Sequence, residues 1–248
     1  MIIESNSNHI VKELRKLKEK KYREKERCFI LEGVASLKDM PSYVKTRYFI
    51  VAESKQGKYE DIVKNGKCLI LSDKLYRDIS DTVTSAGLAA VIEYTDLDMV
   101  SPQGDSLILD KISDPGNLGT LIRTAVAMNI TDIYLADCCD LYSPKVLRAT
   151  MGGVFRANFY RGDIQAVLAC HKDSSIYALD MGGKDLFDMK FYGKTAIIVG
   201  SEAHGISRES LDRADGIIGL PTENGMESLN ASVAGGIALY FLRRKYRR

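Results

Sequence analysis

The chain has 248 residues, of which 45% are hydrophobic and 27% are charged, and its formal net charge at pH 7 is only +2. This length fits one large domain or two small ones, and no apolar run approaches the roughly 20 residues that a membrane-spanning helix needs. The first residues are too polar for a secretory signal, so we expect a soluble cytoplasmic protein that does not bind a membrane.

The positive charge is concentrated near the two ends of the chain. Residues 12–27 are dense in Lys and Arg with Glu interleaved, and residues 243–248 read RRKYRR without any acid. Such stretches can contact a phosphate backbone, but they are also typical of a solvated helix face and a soluble tail. Charge alone leaves both interpretations open.

The cysteines follow no recognisable spacing pattern, and two of them are adjacent in the chain. Their positions match neither a disulfide framework nor a metal site. We therefore expect reduced thiols and no bound metal. The residues concerned are Cys28, Cys68, Cys138, Cys139 and Cys170.

The first hundred residues are predicted to be mixed α and β. Apolar residues at helical spacing predict a helix over residues 10–24, and a second helix over 72–80 opens on a Ser or Asp cap. Short apolar runs predict strands at 28–33, 47–53, 67–72 and 87–94. A polar stretch at 95–106 is interpreted as a linker, which gives a first domain at 1–100 and a second at 106–248.

The second half alternates strands with helices more regularly. Strands are predicted at 106–112, 132–137, 176–181, 195–202 and 216–221. Helices are predicted at 117–128, 143–152, 207–214 and from near Ser228 to the C-terminus. This alternation predicts a parallel sheet covered on both faces, with ligands at the carboxyl ends of its strands. The loops after residues 112, 202 and 221 are therefore candidate binding segments.

The first candidate segment is DPGNLGTLIRTA, residues 114–125. We interpret its GxxG as a loop, although it lacks the phosphate-loop and dinucleotide patterns and a structural turn is the more common explanation of a lone GxxG. In the helix behind it, residues 118, 121, 122 and 125 share the core face and Arg123 points away from them. Arg123 is either a ligand contact between the small residues Gly119 and Ala127 or an exposed, solubilising side chain.

The second candidate segment is IIVGSEAHGIS, residues 197–207. Its strand ends at Gly200, and Glu202 then stands where it could accept hydrogen bonds from a ribose or an arginine, or could cap the next helix. We interpret His204 as a surface residue.

The third candidate segment covers residues 220–245, in which Gly225 breaks a polar loop. Ser228 is predicted to cap the last helix, which would put Leu229 and Asn230 in a first turn whose free N–H groups favour polar ligands. The glycines of this helix cost stability, which indicates that a backbone packs closely against it. A dimer partner and the chain's own sheet are both candidates for that contact.

Together the stretches 114–125, 199–207 and 220–240, in this order and spacing, resemble the SpoU (TrmH-type) RNA 2′-O-ribose methyltransferases of the SPOUT superfamily. Residues 143–156 resemble the family's segment between the first two motifs, and the whole resemblance covers about 106–242. The preceding part is similar to the L30e-like substrate-binding domain often attached to this family. The resemblance implies a parallel-sheet α/β domain with a deep trefoil knot, preceded by a smaller α/β domain.

The resemblance also implies a bound cofactor and a homodimer. S-adenosylmethionine would be held largely by backbone groups at Gly200, Leu220 and Leu229, with Ser228 nearby. Family members pair through the knot region and the C-terminal helix. One departure is visible, because this chain has Leu-Pro-Thr at residues 220–222 where many members have Ile-Pro-Met.

The implied reaction moves a methyl group from the cofactor's sulfonium to a ribose 2′-hydroxyl. The family's catalytic residues carry over as Asn117, Arg123, Glu202 and Asn230. Because arginine is a poor base, we expect Arg123 to bind the adjacent phosphate and stabilise the developing alkoxide, oriented by Asn117 and Glu202.

The extra domain favours structured RNA, and ribosomal RNA over tRNA. A tRNA 2′-O-methyltransferase, a different doubly wound nucleotide- or nicotinamide-binding enzyme, and a non-catalytic RNA-binding protein with the same fold are the alternatives. The missing dinucleotide and phosphate-loop patterns count against the second, and the intact motif residues count against the third.

Overall fold

The computed structural model describes residues 2–224 and 226–244, so Met1, Gly225 and the C-terminal KYRR at 245–248 lie outside the described part. The chain divides into two compact units. The first comprises the described residues up to Thr95 together with Tyr142–Phe155, and the second comprises Asp96–Leu141 with the described residues from Arg156 onward. Within the described ranges, none of the helices combines the length and hydropathy that a membrane crossing requires.

In its described residues, the first unit contains a five-stranded mixed sheet. Its strands are β1 (Ile2–Ile3), β2 (Cys28–Glu32), β3 (Thr46–Ala52), β4 (Cys68–Leu71) and β5 (Leu88–Glu93). Their order is β1-β4-β3-β5-β2, with β5 antiparallel to both of its neighbours and the other pairs parallel. Apart from the two-residue β1, each strand lies where an apolar run predicted it.

The first unit's described helices flank this sheet. They are α1 (His9–Lys16), α2 (Lys20–Glu26), α3 (Val34–Lys38), α4 (Glu60–Val63), α5 (Asp73–Ile79) and, from the returning segment, α7 (Pro144–Thr150). α5 begins after Ser72 as predicted, although the Ser72 side chain makes no capping hydrogen bond.

The prediction of a single helix over residues 10–24 is wrong, because the structure has two helices there, α1 and α2. The reason is Arg23, whose side chain is buried and donates hydrogen bonds from Nη1 to the carbonyl oxygens of Leu17 at 2.7 Å and Lys18 at 2.6 Å. These bonds satisfy carbonyl groups at the end of α1 that would otherwise lack a partner. One of the basic residues in this stretch is therefore structural rather than a solvated charge.

Within its described range, the second unit is built on a seven-stranded sheet in which all neighbouring strands are parallel. The strand order is β12-β10-β11-β7-β8-β9-β6. The strands are β6 (Asp96–Leu97), β7 (Ser106–Asp110), β8 (Asp132–Ala136), β9 (Asn158–Gly162), β10 (Ser175–Asp185), β11 (Thr195–Gly200) and β12 (Gly216–Gly219). The predicted parallel α/β architecture is thus confirmed, and the knot stays a prediction.

Helices cover both faces of this sheet, as predicted. They are α6 (Pro115–Ala127), α8 (Ile164–Ala169), α9 (Arg208–Arg213) and α10 (Ala231–Arg243). Successive strand residues face opposite layers. Ile198 therefore joins the core cluster that includes Val167 of α8, whereas the next residue, Val199, lies against Gly235 of α10.

All five cysteines are free thiols, as expected. Burial raises the pKa of Cys28 to about 11 and that of Cys138 to about 12. Both side chains are neutral at pH 7, so neither is an activated nucleophile.

Candidate active site

The segment interpreted as a ligand loop is the start of a helix. α6 begins at Pro115, and the side chain of Asp114 accepts a hydrogen bond from the backbone N–H of Asn117 at 2.8 Å. Proline suits the first helical position because its missing N–H would have no partner there. The loop interpretation of this GxxG is therefore wrong, since Gly116 and Gly119 both lie within α6.

The predicted orientation of α6 is confirmed. Its core face, Leu118, Leu121, Ile122 and Ala125, is fully buried, and Arg123 is exposed. Arg123 makes no hydrogen bond or ion pair with any residue that the structure describes. Its guanidinium group is therefore available to a ligand from outside the unit.

Asn230, and not Ser228, caps the last helix. The Asn230 side-chain oxygen accepts hydrogen bonds from the backbone N–H groups of Ser232 at 3.0 Å and Val233 at 3.3 Å. Ser228 and Leu229 precede the helix and are exposed in the loop. The prediction that Ser228 caps α10 is therefore wrong, because asparagine caps as well as serine and Asn230 directly precedes Ala231.

Three of the four predicted catalytic residues form one hydrogen-bonded cluster. Nδ2 of Asn230 donates to Oδ1 of Asn117 at 3.1 Å and also to Oε1 of Glu202. The backbone N–H of Ala231 donates to the same glutamate oxygen at 3.4 Å. A carboxylate here is stabilised by the positive end of the α10 dipole. Arg123 is not part of these hydrogen bonds.

Glu202 does not cap the helix that follows it, because that position belongs to Ser207. The Ser207 side chain accepts from the backbone N–H of Ser210 at the start of α9. Of the two interpretations of Glu202, the polar contact at a strand end is the one that fits. His204, two residues later, is exposed, as predicted.

A cavity of about 340 Å³ opens beside this cluster, at the carboxyl edge of the sheet. Its size falls within the range of small-molecule sites. All four predicted cofactor-binding residues line it, and so do Glu202 and Asn230. The four are Gly200, Leu220, Ser228 and Leu229. Neither Asn117 nor Arg123 is among the lining residues.

Sequence reasoning missed the contribution of β10 to this cavity. Asp180 and Met181 line it, and β10 changes its register with β12 between Leu179 and Lys184. A side chain at Gly183 would lie 2.5 Å from the carbonyl carbon of Ile218, so only glycine fits there. Two adjacent glycines inside a strand pattern are typical of a bulge, and that signal could have located this bend.

The acidic residues that line the cavity suit a cationic ligand, and the backbone closes the cavity wall at Gly200. Asp180, Glu202 and Glu227 contribute carboxylates, and the described lining residues include no Lys or Arg. A Cβ at Gly200 would lie 2.5 Å from the carbonyl carbon of Gly205, so the wall there is backbone. S-adenosylmethionine, which carries a positive sulfonium and an ammonium group, fits this donor set better than a polyphosphate does. In the described residues, no group of three or more His, Cys, Asp or Glu is arranged to hold a metal ion.

Two separate parts of the chain match known families. Residues 106–240, more than half of the chain, match the model of the SpoU rRNA Methylase family. Residues 8–90 match the MRM3-like substrate binding domain.

Individual relatives match along nearly the whole chain. The chain is 29% identical to the 23S rRNA (guanosine(2553)-2′-O)-methyltransferase RlmP of Bacillus subtilis (strain 168), over 97% of this chain and 98% of that protein. It is 26% identical to the mitochondrial rRNA methyltransferase 3 of Homo sapiens, over 93% of this chain and 71% of that protein.

A solved structure gives the same result. The AdoMet-bound rRNA methyltransferase from Sinorhizobium meliloti superposes with a TM-score of 0.89 at 27% identity, covering 99% of this chain and 98% of that one. The order of the three motifs, the parallel sheet and the cavity at its carboxyl edge agree with these matches. The chain therefore belongs to the SpoU rRNA methylase family.

Proposed function

We propose that this protein transfers a methyl group from S-adenosylmethionine to a ribose 2′-hydroxyl of ribosomal RNA. The observation that carries the proposal is the acidic, backbone-walled cavity meeting the Asn117–Glu202–Asn230 cluster at one edge of the sheet. Family membership and relatives named as rRNA methyltransferases support the reaction and the class of RNA. We place the activity in the cytoplasm.

Gly200, Leu220 and Leu229 would hold the cofactor through their backbone groups, with Ser228 alongside. When bound, it would supply a strongly electrophilic methyl carbon attached to a positively charged sulfur, which leaves as a thioether. The protein's task is therefore mainly to align the 2′-oxygen with that methyl group and to exclude water. Asp180, on the same cavity wall, adds a negative charge that favours the cationic cofactor.

Arg123 acts on the RNA. It is exposed and has no intramolecular partner among the described residues, so it is free to bind the phosphate next to the target ribose. A guanidinium there stabilises the charge that develops on the 2′-oxygen. Arginine is a poor base in water, so we assign the proton to a phosphate oxygen. Asn117, Glu202 and Asn230 position the ribose.

The two parts of the chain divide the work. Residues 1–100 form the RNA-substrate-binding domain, in line with the substrate-binding family match at 8–90. Residues 106–248 supply the methyltransferase domain, apart from Tyr142–Phe155, which belong to the first compact unit. The knot that the resemblance implies would lie in this domain.

We also propose that the protein is a homodimer that pairs through α10. Val233 and Tyr240 are each 51% exposed on this helix, and together with Gly236 they line an apolar groove. Side chains this apolar are uncommon on a free helix face and are typical of a covered one. Sedimentation equilibrium tests the pairing: the wild type should sediment as a dimer and Val233→Glu as a monomer. A monomeric wild type overturns the proposal.

The experiment that tests the reaction follows a tritiated methyl group from S-adenosylmethionine into RNA. Ribosomal RNA and tRNA, both from cells lacking the gene, are the two substrates, and mass spectrometry of the digested nucleosides identifies 2′-O-methylation. We expect label in ribosomal RNA, and none with Arg123→Ala, which should still bind the cofactor.

Other labelling results would assign a different function to the protein. Label in tRNA alone makes the protein a tRNA 2′-O-methyltransferase. Absence of label in both, with RNA still bound, makes it a non-catalytic RNA-binding protein. Wild-type transfer by Arg123→Ala refutes the role of Arg123. S-adenosylmethionine should raise the melting temperature, whereas NAD and ATP should not.

A further inference from the structure

Asp110 is a buried carboxylate that the proposed reaction leaves unused. It is the last residue of β7, is fully buried, and pairs in the sheet with Gly200. Its Oδ2 accepts hydrogen bonds from the backbone N–H of Ser207 at 2.9 Å, from Oγ of Ser207 at 2.6 Å and from Oγ of Ser210 at 2.7 Å. This one oxygen therefore anchors the start of α9.

The loop that carries Glu202 runs between two fixed points. At its first end, Ser201 and Gly205 exchange backbone hydrogen bonds of 3.1 and 2.8 Å, directly after β11. At its other end, the backbone N–H and the hydroxyl group of Ser207 donate hydrogen bonds to Asp110. Loop residues 201–206 include cavity-lining residues at both ends, so a shift of the second anchor would move the cavity wall and Glu202 together.

The hydrogen bonding of Asp110 differs from that of a carboxylate that only holds the fold. Asp132 is the first residue of β8, so it lies at the amino ends of the strands, and both of its carboxylate oxygens accept hydrogen bonds. Its Oδ2 accepts from the backbone N–H of Gln103 at 2.9 Å, and its Oδ1 accepts from Asn158 at 2.9 Å and Tyr160 at 3.3 Å. Oδ1 of Asp110 has no hydrogen-bond partner among the described residues. A buried acceptor without a partner costs stability, so fold stability alone does not account for this carboxylate.

We propose that Asp110 is a positioning residue for methyl transfer: its carboxylate fixes loop 201–206 and so sets Glu202 against Asn230 and the cofactor cavity. The inference rests on the proposed function for its catalytic consequence. The anchoring itself does not depend on what the cavity binds.

The kinetic test compares Asp110→Asn with Asp132→Asn in the full-length protein, at a temperature where both are folded. Asp110→Asn removes the charge and turns an amide toward the loop, and we expect kcat to fall about 100-fold with KM for RNA within about twofold. Asp132→Asn loses a comparable set of hydrogen bonds far from the cavity and should keep the wild-type kcat. Equal kcat values for Asp110→Asn and the wild type refute the proposal.

Hydrogen exchange gives a second measurement that needs no activity. In Asp110→Asn the amides of Ser201 and Gly205 should exchange about tenfold faster than in the wild type, and in Asp132→Asn they should not. If the amides of Ser201 and Gly205 exchange at the wild-type rate in Asp110→Asn, Asp110 does not anchor the loop. If the wild type transfers no methyl group, the proposed function fails while these rates still decide the anchoring. If Asp110→Asn does not fold, Ser210→Ala, which removes one of the three bonds, should show the same changes at a smaller size.

Discussion

At the scale of single residues, the orientation of the Asn230 amide organises the candidate site. Its oxygen is committed to the first turn of α10, so its NH₂ group must face Asn117 and Glu202. One side chain therefore links the first, second and third motifs. The consequence is that the site depends more on which end of the Asn230 side chain donates hydrogen bonds than on the size of that side chain.

Asn230→Asp tests this polarity. Aspartate caps a helix as well as asparagine does, so the free energy of unfolding should stay within about 1 kcal/mol of the wild type. A carboxylate facing Glu202, however, replaces a donor by a repelling charge, and single-turnover methyl transfer should slow by about 100-fold. Asn230→Ser keeps a cap without the charge and should slow it less. Wild-type turnover by Asn230→Asp would contradict the proposed cluster.

A second residue-scale prediction concerns the buried His171. Its Nδ1 donates to the carbonyl oxygen of Val167 at 2.8 Å, and its Nε2 accepts from Ser106 at 3.1 Å. Burial lowers the pKa of His171 below its ordinary value of 6.5. The unfolded chain therefore binds the proton more readily, and stability falls as pH drops below about 6.5, by up to about 1.4 kcal/mol per pH unit.

Urea unfolding at pH 7.5 and pH 5.5 measures this dependence. The wild type should lose more stability between the two than His171→Gln, whose amide does not titrate. An identical loss in both proteins would assign the pH dependence to other groups.

At the scale of elements, the strands of the second unit were predictable because parallel strands buried on both faces are continuous apolar runs. The first residues of the helices were harder to predict than the strands. Ser228 and Asn230 are locally equivalent caps, and the choice depends on Asn117, which is 113 residues away in sequence. Likewise, the break between α1 and α2 depends on a side chain folding back onto the preceding helix. β9, α8 and the two-residue β6 were not predicted, and β6 falls in the stretch interpreted as a linker.

The two adjacent glycines of α10 resolve the open question about its close packing. Gly235 lies against Leu121 of α6 and Val199 of β11, so the chain's own core explains it. Among the described residues, a Cβ at Gly236 would contact the side chain of Thr124, at an ordinary 3.6 Å, and Gly236 lines the exposed groove. The chain's own packing thus accounts for Gly235, and a partner at Gly236 stays part of the dimer proposal.

These glycines form a matched pair for mutation. Gly235→Ala adds a methyl group where Leu121 and Val199 leave no space, and should lower the free energy of unfolding by about 1–3 kcal/mol. Gly236→Ala adds the same group at an ordinary van der Waals distance of 3.6 Å from Thr124, so in the dissociated chain it should raise helix stability by up to about 1 kcal/mol. Denaturant unfolding of both variants checks this, and equal effects would show that the packing at Gly235 is not tight.

At the scale of the whole molecule, the first unit is not a continuous stretch of chain. Its core includes Tyr142, which stacks on Phe29 with ring centroids 4.7 Å apart and on Tyr94 at 3.9 Å. α7 follows and packs on β2. Sequence pattern could not assign this segment to the first unit, because aromatic residues after a polar turn suit either unit equally well.

A fragment of residues 1–100 tests the importance of this returning segment. It lacks Tyr142 and α7, which exposes the ring of Phe29, and burying such a ring contributes about 1.5–3 kcal/mol. We expect amides of β2 to exchange faster in the fragment than in the full chain. Equal protection would show that residues 142–155 add nothing to the stability of the first unit.

The split first unit also constrains how the protein is made. The ribosome has to synthesise residue 155 before the first unit has all of its parts, and by then β7, α6 and β8 of the second unit have already been translated. Domains usually fold one after another from the N-terminus during synthesis. Here the first unit must stay incomplete while the first three major elements of the second emerge, so the two units fold in an interleaved order.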